Sequence, residues 1–138
     1  MWIAYSLLAA IFAGAVAILG KIGLKDVDPT LATTIRAAVM AVFFLGVATI
    51  LDKFSLIKTV DNKALTFIVF SGIAGALSWF FYFLALKYGP ATGVAALDRL
   101  SVVFVVILAA LFLGEALTIK SVSGLALLVV GAILLVLK

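Results

Sequence analysis

Five predominantly apolar runs, each about 20 residues long, decide what this chain can fold into. They cover residues 2–24, 32–51, 64–86, 91–113 and 119–137. A helix needs about 20 apolar residues to cross a hydrocarbon layer about 30 Å thick. Because 67 % of the 138 residues are hydrophobic and only 12 % are charged, too little polar sequence remains to cover these runs in water. We predict an all-α integral membrane protein in which residues 1–138 form one domain of five transmembrane helices.

The connections between the runs carry residues that start or end helices. Asp28-Pro29-Thr30 precedes the second run, where a proline with a threonine cap favours a new helix. Gly89-Pro90 predicts a tight turn before the fourth run, and Gly114 with Glu115 ends that run. The longest connection, residues 52–63, contains apolar side chains, and we expect it to lie on the membrane surface.

The lysines of the connections do not indicate one orientation, although short cytoplasmic loops usually have an excess of Lys and Arg. The predicted spans place four lysines on each side: Lys53, Lys58, Lys63 and Lys120 on the N-terminal side, and Lys21, Lys25, Lys87 and Lys138 on the C-terminal side. Two interpretations remain open. Either the predicted boundaries are wrong by a residue or two, or the chain inserts in both orientations and pairs with an inverted copy of itself.

The composition also excludes several classes of function. Without Cys or His, the chain has no disulfide and no metal site built from these residues. Its net charge of +4 is scattered along the sequence, so we expect no nucleic-acid binding. The sequence contains neither a Walker A loop nor a pattern of nucleophile and base. We therefore expect neither an enzyme nor a bound cofactor.

Charged residues inside the spans are the first candidates for function. Asp98 and Arg99 interrupt the apolar segment GVAALDRLSVVF, about 10 Å into the fourth span. Arg36 and Lys21 lie toward the same side of the membrane, and intramembrane charges usually face a cavity or a partner. We consider three interpretations of Asp98: a structural bridge to Arg36 or Lys21, a pair with Arg99 of a second subunit, or direct binding of substrate or protons.

Aromatic residues of the third span, in the segment SWFFYF, are the second candidates. Trp79 and Tyr82 would line a pocket for apolar or cationic solutes, because aromatic rings attract cations. The alternatives are an interfacial aromatic belt or simple packing. In the segment SGIAG, Gly72 and Gly75 predict close approach of another helix.

The chain resembles the EamA domain of the drug/metabolite transporter superfamily. The resemblance rests on Ala85-Leu86-Lys87-Tyr88, on Gly114-Glu115, and on Gly124 with Gly131 seven residues later. Many EamA domains have a proline where this chain has Val102, so we expect its fourth helix to lack the corresponding kink. Gly124 and Gly131 also resemble the dimerising helix of the small multidrug resistance transporters, which implies that they lie at a subunit interface.

The resemblance implies both an assembly and a function. Most EamA proteins contain two five-helix units with inverted orientations, whereas this sequence has one. It is similar to the short five-span bacterial and archaeal transporters, which implies an antiparallel homodimer in the prokaryotic cell membrane. A parallel dimer and a heterodimer are the alternatives. The implied function is secondary transport of small metabolites, amino acids or drugs by alternating access. A flippase subunit for a lipid carrier or headgroup, and a non-transporting scaffold, are the other hypotheses.

Overall fold

The computed structural model of the chain describes residues 1–137 and is helical throughout, apart from short connections. Its α-helices are α1 (Trp2–Gly23), α2 (Pro29–Ile50), α3 (Asn62–Tyr88), α4 (Ala91–Asp98), α5 (Ser101–Leu108) and α6 (Ile119–Val136). A 3-10 helix, Lys53–Thr59, connects α2 to α3, and a π-helical turn, Ala109–Leu113, follows α5. Five segments are long and apolar enough to cross a membrane: α1, α2, α3, Ala91–Leu113 and α6. The predicted all-α fold with five transmembrane helices is confirmed.

The helix ends differ from the predicted ones by at most three residues. Helix α2 begins at Pro29 instead of residue 32, because Asp28 caps it: one Asp28 carboxylate oxygen accepts the Thr30 and Leu31 amides at 2.9 and 3.0 Å. The expectation of a Thr cap at this helix start is therefore wrong. A proline fits the first helical position because its missing N–H needs no partner there. Lys138, one of the lysines counted for orientation, lies outside the described residues.

The fourth span is interrupted in its middle, although residues 91–113 contain no proline. Around Arg99 and Leu100 the backbone hydrogen bonds change from the α-helical pattern, which joins residues four apart, to the 3-10 pattern, which joins residues three apart. The Leu100 amide donates to the Leu97 carbonyl at 2.9 Å, and the Val103 amide donates to the Leu100 carbonyl at 2.9 Å. A tightened turn therefore interrupts this helix without a proline, a feature that the expected absence of a proline kink did not anticipate.

The chain divides into two compact units, and residues 22–87 form one of them. It contains α2, the 3-10 helix and most of α3. Its buried residues include Leu24, Phe83 and Leu86, which are 1 %, 4 % and 0 % exposed. Lys87 binds the connection that precedes α2: its ammonium donates to the carbonyl oxygens of Leu24, Lys25 and Val27 at 2.7, 3.1 and 3.1 Å. These bonds place the end of α3 beside the start of α2.

The other unit contains residues 1–21 and the chain from Tyr88 onward. Its buried apolar residues are all alanines: Ala17, Ala96, Ala109 and Ala132. Helix α4 packs against α6, and a Cβ added to Gly93 would lie 3.7 Å from a Val136 methyl group. Small side chains allow helix backbones to approach closely, which is how helices pack in a membrane.

Large apolar side chains cover the outside of the helices. Phe43 is 62 % exposed, Phe67 is 66 % exposed and Leu127 is 75 % exposed. Such a surface is stable in lipid, because lipid tails solvate it as well as a protein interior does. The structure is that of a multi-pass membrane protein, while the grouping of all five spans into one domain stays a prediction.

Candidate functional site

A guanidinium of α2 stacks on an indole ring of α3 within residues 22–87. The Cζ atom of Arg36 lies 3.6 Å from the centre of the Trp79 ring and 5.6 Å from that of Phe83. Trp79 meets the Tyr82 ring edge to face, with 5.4 Å between centres. The aromatic cluster predicted from SWFFYF therefore exists, and the cation over it is Arg36 of the protein itself.

A cavity of about 330 Å³ opens beside this stack, between α2 and α3. Arg36 and Trp79 both line it, as the sequence predicted for Trp79, whereas Tyr82 contacts Trp79 without lining the cavity. The remaining lining residues are small or flexible, and sequence analysis did not identify most of them as part of a site: Thr33, Ala37, Met40, Gly72, Gly75 and Ala76.

Gly72 and Gly75 create part of the space in this cavity. A Cβ atom added at either position would meet no other heavy atom within 4 Å, apart from the helix's own neighbouring backbone. The expectation that these glycines bring another helix into close contact is therefore wrong for the described residues. They widen the cavity instead, because a helix position without a side chain leaves open space when no neighbour fills it.

Arg36 lies inside the membrane-spanning part of α2. It follows Pro29 by seven residues, which places it about 10 Å along the helix. Stacking over an aromatic ring stabilises a guanidinium by about 0.5–2 kcal/mol, less than the cost of about 2.5–3.5 kcal/mol for an arginine at the centre of a membrane helix. No residue from 22 to 87 accepts a hydrogen bond from its N–H groups. The stack thus offsets part of the cost of placing this charge inside the membrane.

Thr33 contributes a further polar group to the lining. Its hydroxyl donates to the Pro29 carbonyl at 2.7 Å, so its proton is already in use. No acidic residue lines the cavity. The unused hydrogen-bond donors of the lining side chains therefore belong to Arg36 and to the indole N–H of Trp79, and the site has a net positive charge.

Asp98 and Arg99 lie in the other unit, at the interruption between α4 and α5. Asp98 is half-buried and Arg99 is exposed. Within residues 1–21 and 88–137, Asp98 forms no ion pair. Lys21 donates to the Gly89 carbonyl at 2.9 Å, and this bond fixes the turn between α3 and α4. The predicted bridge from Asp98 to Lys21 is therefore absent, whereas the bridge from Asp98 to Arg36 stays a prediction.

Gly124 and Gly131 lie on one face of α6, as the spacing of seven residues predicted. An added Cβ atom at either glycine meets nothing within 4 Å among the described residues. At 100° per residue, their face lies about 90° from Ala132, which is buried in this unit. The glycine face is therefore open to a further helix or to lipid.

Comparison with known proteins shows one family and two relatives to which the chain is similar. Residues 1–137 match the model of the EamA-like transporter family. The chain is 36 % identical over 134 residues to a Sinorhizobium protein described as an uncharacterized transporter in the cobO 3' region, covering 97 % of this chain and 95 % of the relative. It is 34 % identical over 86 residues to an uncharacterized protein of Methanocaldococcus jannaschii, covering 62 % and 63 % of the two chains. No solved structure matches it significantly.

Proposed function

Because the chain belongs to the EamA-like transporter family, we propose that it is a secondary transporter of small metabolites, amino acids or drugs. It works by alternating access as an antiparallel homodimer in the cell membrane of a prokaryote. Membership of this family and the transporter name of the Sinorhizobium relative support transport over enzymatic activity.

The cavity between α2 and α3 is the observation that carries this proposal. It lies within two helices that are long and apolar enough to span a membrane, and a charged side chain lines it. An ionisable residue in a transmembrane helix is costly, so its presence beside a cavity favours a functional role. A scaffold protein would need no such cavity. We propose that Arg36 and Trp79 contact the transported solute, with Tyr82 supporting Trp79.

The interruption of the fourth span supports a second role, for Asp98 and Arg99. Discontinuous helices in transporters expose backbone groups near the middle of the membrane, where substrates and coupling ions bind. Asp98 lies directly before the tightened turn and has no ion pair within its unit. We propose that Asp98 takes part in coupling and that Arg99 faces substrate or the partner subunit. For Lys21, the bond to Gly89 supports a structural role over the predicted contact with substrate.

The length of the Sinorhizobium relative supports the dimer. The match covers 95 % of that protein, so the relative is also only about one five-helix unit long. Transporters with inverted repeats need two such units around one substrate pathway. A second copy in the opposite orientation supplies the missing unit, and the even distribution of lysines permits both orientations. We propose that Gly124 and Gly131 form the contact between the copies.

A transport assay with the full chain in proteoliposomes tests the proposal. The probes are radiolabelled standard amino acids, benzoate and tetraphenylphosphonium, each driven by an imposed pH gradient. We expect at least one probe to accumulate, and Asp98→Asn to reduce that accumulation at least tenfold while the protein stays folded and dimeric. Asp52→Asn, in an exposed connection, is the matched control and should transport normally.

Two outcomes would count against this function. Accumulation no higher than in protein-free liposomes for every probe would contradict transport. An Asp98→Asn variant that loses its fold and its dimer would show that Asp98 is structural, as the bridge hypothesis requires.

A further inference from the structure

The cavity between α2 and α3 has the chemistry of an anion site, and this observation extends the proposed function. We propose that its ligand, and thus the transported solute, is a small monocarboxylate with an apolar body. The inference rests on the proposed transport function and names the substrate class of the same site.

The charge of the ligand follows from the lining. Arg36 provides the cavity's positive charge, and no Asp or Glu lines it. The Trp79 ring, which would otherwise attract a cationic solute, already has a guanidinium 3.6 Å from its centre. A cationic ligand would meet a like charge that no other lining residue compensates, at short range, where the low dielectric constant strengthens repulsion. The sequence-based expectation of a cationic solute on these aromatic rings is therefore replaced by that of an anion.

The geometry of Arg36 favours a carboxylate in particular. Stacking uses one face of the planar guanidinium and leaves its N–H groups, which point outward from the edge, without an acceptor among residues 22–87. A carboxylate accepts two parallel hydrogen bonds from that edge. Because no second basic residue lines the cavity, a dianion such as inorganic phosphate would keep an uncompensated charge.

The apolar lining and the volume describe the rest of the ligand. Ala37, Met40 and Ala76 present only carbon and sulfur atoms, and the glycines leave room beside them. A cavity of about 330 Å³ is at the small end of ligand pockets, which span about 300–1,000 Å³. A single ring or a short hydrocarbon chain fits this space, whereas a large drug does not.

Three probes of nearly equal shape test the charge preference directly: benzoate, benzamide and the cationic benzamidine. Binding of radiolabelled benzoate to the purified full chain is measured in phosphatidylcholine nanodiscs, with the unlabelled compounds as competitors. We expect benzoate to compete at least tenfold better than benzamide and benzamidine not to compete. Equal competition by benzamidine would overturn the proposal.

Variants show whether the binding occurs in this cavity. Arg36→Gln should weaken benzoate binding at least tenfold, and Arg36→Lys should restore part of it. Gly75→Leu should abolish binding by filling the cavity while leaving Arg36 in place. Gly46→Leu is the matched control, because Gly46 lies on α2 outside the lining and has equally open surroundings. Unchanged binding in Gly75→Leu would overturn the proposal even if Arg36→Gln does not fold.

The phosphate of a lipid headgroup is also an anion that Arg36 could bind. One arm of the experiment therefore distinguishes a lipid headgroup from a free carboxylate. Benzoate affinity should be the same in nanodiscs with and without phosphatidylglycerol. Loss of binding only with phosphatidylglycerol would show that a phospholipid headgroup occupies the cavity and would overturn the assignment to a small carboxylate. Benzoate binding without transport of any probe would contradict the proposed function alone. Transport of another probe by a chain that does not bind benzoate would contradict this inference alone.

Discussion

Lys87 shows how one residue determines local structure in this chain. Its ammonium donates to three backbone carbonyls of the connection before α2, and the adjacent Leu86 is completely buried. An ammonium group has three N–H donors, which suits it to contact several carbonyl oxygens at once. Leu86 and Lys87 therefore fix the end of α3. Both belong to the segment Ala85-Leu86-Lys87-Tyr88, on which the resemblance to the family partly rests. For Lys87 the structure supports a structural function over a role in transport.

Replacing Lys87 with methionine should destabilise the protein by about 2 kcal/mol, because hydrogen bonds to charged groups contribute about 1.5–3 kcal/mol. The measurement is denaturant unfolding of the purified chain in detergent, followed by circular dichroism. Lys25→Met is the matched control: the Lys25 side chain is exposed, and its carbonyl remains available to Lys87. A stability of Lys87→Met equal to that of the control would contradict this account of the motif.

Arg36 and Trp79 show what the sequence could and could not predict about the site. Arg36 is predictable as a site residue because a charge inside a membrane is costly, and Trp79 because it lies in a run of aromatic residues. Their stacking on each other depends on how α2 and α3 are rotated, and apolar spans with nearly uniform hydrophobicity contain little information about rotation. For the same reason Thr33 and Met40 could not be identified as lining residues, and no helix among the described residues packs on Gly72 and Gly75 as the sequence predicted.

At the scale of helices, hydrophobicity predicted the five spans well, because their lengths must match the thickness of the bilayer. The predictions fail where helix capping and backbone hydrogen bonding determine the start or the continuity of a helix. Asp28 caps α2, which begins at Pro29, three residues before its predicted start. No proline or glycine lies at the interruption of the fourth span at Arg99 and Leu100, so the sequence could not predict it. It is seen only in the backbone hydrogen bonds of the structure.

Helix α6 provides the test of the proposed subunit contact. Replacing Gly124 and Gly131 together with leucine should reduce the crosslinked dimer at least tenfold, since bulky side chains prevent close approach of two helices. Neither leucine should disturb the subunit itself, because a Cβ atom at each position meets nothing within 4 Å. The measurement is chemical crosslinking of the chain in liposomes at a fixed ratio of protein to lipid.

Ala126→Leu is the matched control for this pair. Ala126 is exposed on α6 and lies about 150° around the helix from the two glycines. This variant should crosslink like the original chain. An unchanged dimer in the Gly124→Leu, Gly131→Leu double variant would place the subunit contact on another helix.

For the whole molecule, the proposed arrangement is an inverted pair of copies in lipid, and the lysines of the connections, which favour neither side of the membrane, permit it. Large apolar side chains cover the helices, as expected for a protein solvated by lipid, and the cavity of residues 22–87 lies within the spans. In the proposed arrangement, one copy supplies five spans, and an inverted second copy supplies the rest of a pathway that alternates between the two sides. The central claim is therefore that copies of this chain insert in opposite orientations.

Single-sided cysteine labelling tests that claim most directly, because the chain contains no cysteine of its own. A Lys58→Cys variant places one thiol on the exposed 3-10 helix between α2 and α3. Intact cells expressing it are treated with a membrane-impermeant maleimide and compared with cells permeabilised before treatment. The account predicts that about half of the Lys58→Cys molecules react in intact cells and that all of them react after permeabilisation. Labelling of all or of none of the molecules in intact cells would contradict it.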